Sequence, residues 1–444
     1  MDAPPIDPLA ADDRSAVVLV AAAIVAIPLL QPTGPGRFTP ADVFMSIAIL
    51  GAILWAGTHR VPVRLPYLVP MAILLMSGLV ATMFGLAPGK GVLTLVQDVF
   101  LLAWAAAIAN VIRVPGNLSM ILAAWAWGAT AWASILIVGT VADLSSLVGA
   151  TTAAQSRGRL WFDNPNMAGA YFLMSLFVML LGRHPRSRPV RACAFLLVLT
   201  AMILTGSNGA LLSLVLGGAA AAFIAVRRRT DLVTALAGGT IALVLIGGLA
   251  YLAVDGGVLA RIEESSSSLV DRSLARGPRS AAGRANLFAD EFELYRSGSL
   301  LGRGPASTKE NLEGTKANLE SSSGIAKTAH SDYLATLVER GVVGVLGLVL
   351  LIASIGLMAY SVVLRPVSAA FARQLKNPSA IIGGVVAMAL FAITHEVLHY
   401  RYVWAFLGLL AGLYLFGREV PSVPTVADPV GGGPALRGEL VAAS

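Results

Sequence analysis

Long apolar runs alternate with short polar connections along most of the chain. The runs lie at Ala16–Leu30, Val43–Gly57, Pro66–Leu86, Val92–Ile112, Leu118–Gly139, Asn166–Leu181, Arg191–Leu204, Ala210–Val226, Leu232–Val254, Tyr333–Leu364, Ser379–Val397 and Val403–Phe416. A helix needs about 20 mostly apolar residues to cross the hydrocarbon layer. The pattern therefore predicts an all-α polytopic membrane protein with about 12 transmembrane helices. The seventh and twelfth runs are short, which leaves eleven helices or a re-entrant pair open. No repeat of 20–50 residues stands out.

One connection breaks the rhythm. Asp255 to His330 is a polar stretch of 76 residues with ten Lys/Arg and ten Asp/Glu. It divides the chain into residues 1–254 with nine helices, 255–332 as a long loop, 333–419 with three more helices, and a disordered tail over 420–444. Loops longer than about 12–15 residues are usually functional or disordered. Within this one, Arg284–Arg296 places Leu287, Phe288, Phe292 and Tyr295 on one helical face, with Asp290, Glu291 and Glu293 elsewhere. That suits a helix on the membrane surface or over the bundle, and a solvent-facing loop helix fits the pattern equally.

Composition excludes a soluble domain. Apolar residues make up 56% and charged residues 13% of the chain, against about 25% charged in ordinary globular proteins. Mean hydropathy is +0.76. The net charge is +7, and sorting it by connection explains it. With the N-terminus inside, the cytoplasmic connections hold sixteen Lys/Arg and the short outside ones five: Arg37, Lys90, Arg157, Arg159 and Arg401. The positive-inside rule then puts both termini in the cytoplasm and the long loop outside. The basic excess is topological and gives no reason to expect nucleic acid. The single cysteine, Cys193, excludes an internal disulfide and reads as a small buried residue. Met1–Arg14 carries four aspartates, the wrong charge for a secretory leader, so the first run is expected to stay as an anchor.

The outside connections hold the unusual polar residues. His330 ends the long loop and opens a helix that Ser331 or Asp332 can cap, with Gly341 and Gly344 allowing close helix contact. A histidine at that place is a candidate general base; a structural histidine is the alternative. Arg284, Arg303, Arg157 and Arg159 are candidate diphosphate ligands, because a guanidinium presents paired donors to phosphate oxygens; taken singly, each reads more readily as a surface charge or a lipid-headgroup anchor. Asp98 sits about two turns inside the fourth run, where ionisable groups are functional candidates or pair with a neighbour. His395-Glu396-Val397-Leu398-His399 matches the zinc motif HE-x-x-H, which needs both imidazoles on one helix face and a third ligand. No nucleotide loop, GxSxG or Asp-x-Asp pair is present.

His330-Ser331, nine residues, then Gly341-Val342-Val343-Gly344 resembles the signature of the O-antigen ligase family. Leu300-Leu301-Gly302-Arg303-Gly304-Pro305 resembles that family's PLxGxGxG turn. Phe162-Asp163-Asn164-Pro165-Asn166 with Ala168 and Tyr171 resembles its F-x-N-P-N element. Arg284 lies where the family usually has a loop arginine. One departure is that relatives read T-x-S-R-G where this chain has Thr205-Gly206-Ser207-Asn208-Gly209, so Asn208 replaces an arginine. The resemblance runs from about Arg157 to Phe416.

It implies a GT-C-like, inverting, metal-independent glycosyltransferase of a bacterial inner membrane, working without cofactor at the periplasmic face. The donor would be a polyprenyl-diphosphate-linked glycan, the acceptor a lipid or glycan hydroxyl. His330 would act as base and Arg284 would stabilise the leaving diphosphate, with Arg303, Arg157, Arg159, Asn208 and Asn166 binding diphosphate or glycan. A polysaccharide polymerase of the same family shares this chemistry. A transporter fits the helix number but not the short connection between the sixth and seventh runs.

Overall fold

The computed structural model describes residues 13–30, 39–149, 157–231, 233, 288–308 and 331–417. All regular structure in them is helical: α1 Ser15–Ala26, α2 Pro40–Thr58, α3 Leu68–Phe84, α4 Pro88–Val111, α5 Pro115–Val141, α6 Pro165–Leu181, α7 Arg188–Leu204, α8 Asn208–Arg227, α9 Asp332–Leu364, α10 Ala380–Phe391 and α11 Arg401–Phe416. Residues 288–296 are also helical. The ninth apolar run and the tail lie outside the described residues.

Local signals start these helices. Prolines 40, 88, 115 and 165 occupy the first helical position of α2, α4, α5 and α6, where the missing N–H costs nothing. Thr39 and Asp42 form a reciprocal capping box on α2. Asn164 caps α6 by accepting from Met167 N at 2.9 Å, so the Asn164-Pro165-Asn166 stretch leads the chain into a helix.

The expectation of about 12 transmembrane helices is overturned. Among the described residues five helices are long and apolar enough to cross a membrane: α2, α4, α5, α8 and α9. Five other apolar helices, α1, α3, α6, α10 and α11, have 10–17 residues. At 1.5 Å per residue, 12 residues reach about 18 Å, well short of the roughly 30 Å hydrocarbon layer. Burial explains the apolar character of two of them. Nearly every residue of α6 is buried, as is most of α11, and a helix apolar all round belongs inside a bundle. Outward-facing apolar side chains lie on the long helices and on α3, such as Leu50 and Leu54 of α2, Met83 and Phe84 of α3, and Val343 and Leu346 of α9. The protein is a multi-pass, all-α membrane protein with a helical core. Cys193 departs from its expected burial: it is exposed on α7.

The core is tied by few polar contacts. Trp125 Nε1 donates to Ser175 Oγ at 3.0 Å, Tyr402 Oη to Met167 O at 3.0 Å, and Tyr67 Oη to Leu407 O at 3.1 Å. Each satisfies a buried donor that would otherwise cost about 1–3 kcal/mol. Helices α4 and α11 pack face to face, as do α3 and α9, and α8 and α10.

Candidate active site

Helix α9 is two helices joined at Gly341, whose φ of 65° and ψ of −166° are non-helical. Such a break orphans backbone groups that must find partners inside a membrane protein. The Leu300–Pro305 turn supplies them. Arg303 N donates to Val338 O and Gly304 N to Glu339 O, both at 2.9 Å, while Val342 N donates to Leu300 O at 3.0 Å. Gly302 and Gly304 themselves have φ of 92° and 97°. A side chain at Gly341 would collide with Leu300 O, and one at Gly302 with Glu339 O. The two motifs thus form one piece of structure, a turn plugged into a helix break. Gly344 lies against Ser77 and Gly347 against Leu74, letting α9 approach α3.

Beyond the break, the first turns of α9 carry acidic and basic groups inward. Asp332 does not cap its helix; neither does Ser331. Instead the buried Asp332 carboxylate accepts from Val397 N at 2.8 Å and Leu398 N at 3.2 Å. Residues 392–400, between α10 and α11, are thereby hooked onto the start of α9, and Asp332 N donates back to Ala392 O at 3.1 Å. Deeper in, Arg340 Nη2 bonds Asp98 Oδ2 of α4 at 2.6 Å and Nη1 donates to Leu74 O at 3.0 Å. Asp98 does pair, though with a distant helix rather than a neighbour. A cavity of about 30 Å³ between Asp98, Glu339, Arg340, Glu396 and His399 has room for a water or two and no sugar.

The hook carries strongly shifted groups. Glu396 is held well above the ordinary carboxylate range, first by burial and then by Glu339, Asp332 and Glu291 nearby. His399 is pushed below the ordinary histidine value by burial and by Arg340 and Arg401, against the opposing pull of Asp98. Its Nδ1 stands 4.0 Å from Asp98 Oδ1, too far for a hydrogen bond. The HE-x-x-H segment is not helical. His395 stacks flat on Phe391 at 4.2 Å, so the shared helix face that a zinc site of this type needs is missing. Arg401 instead forks onto Asp42, at 3.0 and 3.2 Å, locking the start of α11 to the start of α2.

The same end of the bundle holds the other motifs. Arg157 Nε donates to Thr205 O at 2.7 Å, and Nη2 donates to Gly206 O and Asn166 Oδ1, both at 2.9 Å. It joins the F-x-N-P-N element to the Thr205–Asn208 turn. Asn208 is the first residue of α8, behind the cap Ser207, and Gly209 packs against Phe391 and His395 of the hook. Arg157, Asn166 and Asn208 are therefore brought together. Arg159 braces its own loop, donating to Gly149 O at 2.6 Å and to Phe162 O and Asp163 O. Arg303 caps the helical segment 288–296, donating to Leu294 O at 3.0 Å and Ser297 Oγ at 3.1 Å. In that segment Glu291 is buried and Phe292 is 48% exposed, so the acid turns inward and Phe292 outward, with Phe288 and Tyr295 half-buried. His330 and Arg284 lie outside the described residues.

Sequence reasoning missed Arg340 and Glu339, and read Asp332 only as a possible helix cap. The signal was present: Glu339-Arg340 stands inside the tenth apolar run, directly before Gly341. Glu339 accepts from Thr308 Oγ1 at 2.6 Å.

Residues 193–349 match the model of the O-antigen ligase family, Wzy_C. The O-antigen ligase segment covers about a third of the chain. It begins in α7, takes in α8 and the long loop, and ends in α9, so it includes both motifs of the plugged break. Arg157, Asn166, the hook and α11 fall outside it. No curated protein matches the chain.

Proposed function

We propose that this protein is a glycosyltransferase that moves a glycan from a polyprenyl diphosphate to an acceptor hydroxyl at the outer face of a bacterial inner membrane. The observation that carries the reading is the O-antigen ligase match across residues 193–349, which contain the glycine-lined turn and the broken α9. The geometry is favourable. Helices α6, α8, α9 and α11 begin at one end of the bundle, joined by the contacts of Arg157, Gly209 and Asp332. Helix N-termini carry partial positive charge and favour anions such as diphosphate.

In the reaction, the acceptor oxygen attacks the anomeric carbon and the bond from that carbon to the diphosphate oxygen breaks, with inversion. His330, next to Ser331 at the start of α9, takes the hydroxyl proton. The electron pair leaves with polyprenyl diphosphate, whose growing charge Arg284 stabilises together with the dipoles of the converging helices. Arg157, Asn166 and Asn208 frame the donor; Arg303 and Arg159 shape the loops around it. Cytoplasmic termini follow from the arginine bias. A polymerase would use the same steps with a second lipid-linked repeat as acceptor.

The test is transfer by purified protein from a lipid-linked donor. His330→Ala and Arg284→Ala should each lower turnover by about a hundredfold or more while leaving thermal unfolding unchanged. Wild-type turnover in both variants overturns the proposal.

A further inference from the structure

A second feature lies at the opposite boundary of the bundle. A cavity of about 900 Å³ opens between the C-terminal ends of α8 and α9 and the connection that follows α9. Helix α8, with 20 residues, is about 30 Å long, so Arg227 lies one hydrocarbon thickness from Asn208. The cavity is therefore remote from the candidate active site.

Its polar wall has one sign. Arg227, Arg228, Arg365 and Lys376 line it, and no Asp or Glu does. Among the described residues none of the four enters an ion pair. Helix-end dipoles do not account for them. Two helix C-termini carry about −0.5 charge each, which leaves most of four positive charges uncompensated. Two further cations, Arg191 and Arg188, stand near Lys376; with burial they hold its ammonium below the ordinary lysine value. The floor is fixed. Lys376 N donates to Leu181 O at 2.7 Å, Arg183 Nε donates to Leu375 O at 3.1 Å, and Gly182 pairs with Leu375 in an antiparallel bridge. The remaining wall is largely apolar and includes Ile224, Val362 and Leu364.

We propose that this cavity binds the phosphate headgroup of an anionic phospholipid, with the four cations on the headgroup and the apolar wall along its acyl chains. A basic pocket between membrane helices is the physical setting in which such headgroups bind. The volume lies in the range of small-molecule sites, roughly 300–1,000 Å³. Free phosphate shares the anionic chemistry but would leave the exposed part of the apolar wall, such as Leu364, uncovered.

The test uses delipidated full-length protein. Binding of phosphatidylglycerol and of phosphatidylcholine with identical chains is measured by native mass spectrometry. Arg365→Gln/Lys376→Gln should weaken phosphatidylglycerol by about fivefold per cation, roughly 25-fold together, and leave phosphatidylcholine unchanged. Arg373→Gln, an exposed cation of the same connection outside the cavity, should change binding by less than about twofold. Should the double variant unfold, Arg227→Gln/Arg228→Gln removes the opposite wall and should give the same loss. Three results overturn the proposal: an Arg373→Gln loss equal to that of the cavity variants, equal binding of both lipids, or inorganic phosphate binding as tightly as phosphatidylglycerol.

Discussion

One buried pair and one glycine carry much of the molecule's local risk. Asp98 and Arg340 are both buried and bonded at 2.6 Å. Removing one partner of such a pair strands a charge, whereas replacing both by apolar groups is often neutral. Asp98→Ala should cost about 3–5 kcal/mol, and Asp98→Leu with Arg340→Met should recover most of it. Thermal unfolding of the two single variants and the double variant checks this; additive losses would sink it. Gly341 is the other. Its backbone angles are open in practice only to glycine, and Leu300 O fills the space a side chain would need. Gly341→Ala should destabilise by on the order of 3 kcal/mol, read as a lowered unfolding midpoint. Arg340 was hard to see in the sequence because it belongs to no connection. Hydropathy counts it as a flaw in a run, and only the approach of α4 gives it a partner.

At the scale of elements, the hook between α10 and α11 shows how the site is held. Asp332 anchors it from below through Val397 and Leu398, and Gly209 leaves room for it beside α8. Its charge state links folding to pH. Glu396 has a raised value in the folded protein, so the stability of the protonated form is full below the ordinary carboxylate value. That stability is lost as pH rises through the folded value. His399 runs the other way: its value is lowered, so stability holds above the ordinary histidine value and is lost as pH falls through the folded one. Glu396→Gln should therefore stabilise the protein, by a margin that grows as pH rises from the ordinary carboxylate value towards the raised folded one. Unfolding midpoints of wild type and variant at both ends of that range decide it; a constant margin contradicts the assignment. The glycine turn and the α9 start were legible as motifs. Their joining was not, because the turn meets the break through backbone groups that every residue possesses.

At the scale of the molecule, the apolar helices divide into a lipid-facing set and a buried set. The buried set includes α6 and α11, and apolar-to-polar substitution there should be costlier than on the outer face of α2. Phe172→Ser, at a wholly buried position, should lower the unfolding midpoint far more than Leu50→Ser, at a position 57% exposed, because it opens a cavity and strands a hydroxyl. Equal losses would argue against a helical core. The sequence by itself determined the helical class, the membrane setting and the family motifs, because composition and spacing act through local and solvent forces. Only the tertiary structure decided which apolar helices reach across the membrane and which pack inside. It also decided that Asp98 meets Arg340, that Arg157 joins Asn166 to the start of α8, and that four cations share one cavity. A residue's hydropathy reports its preference for leaving water; its neighbours after leaving water are set by the packing of distant segments.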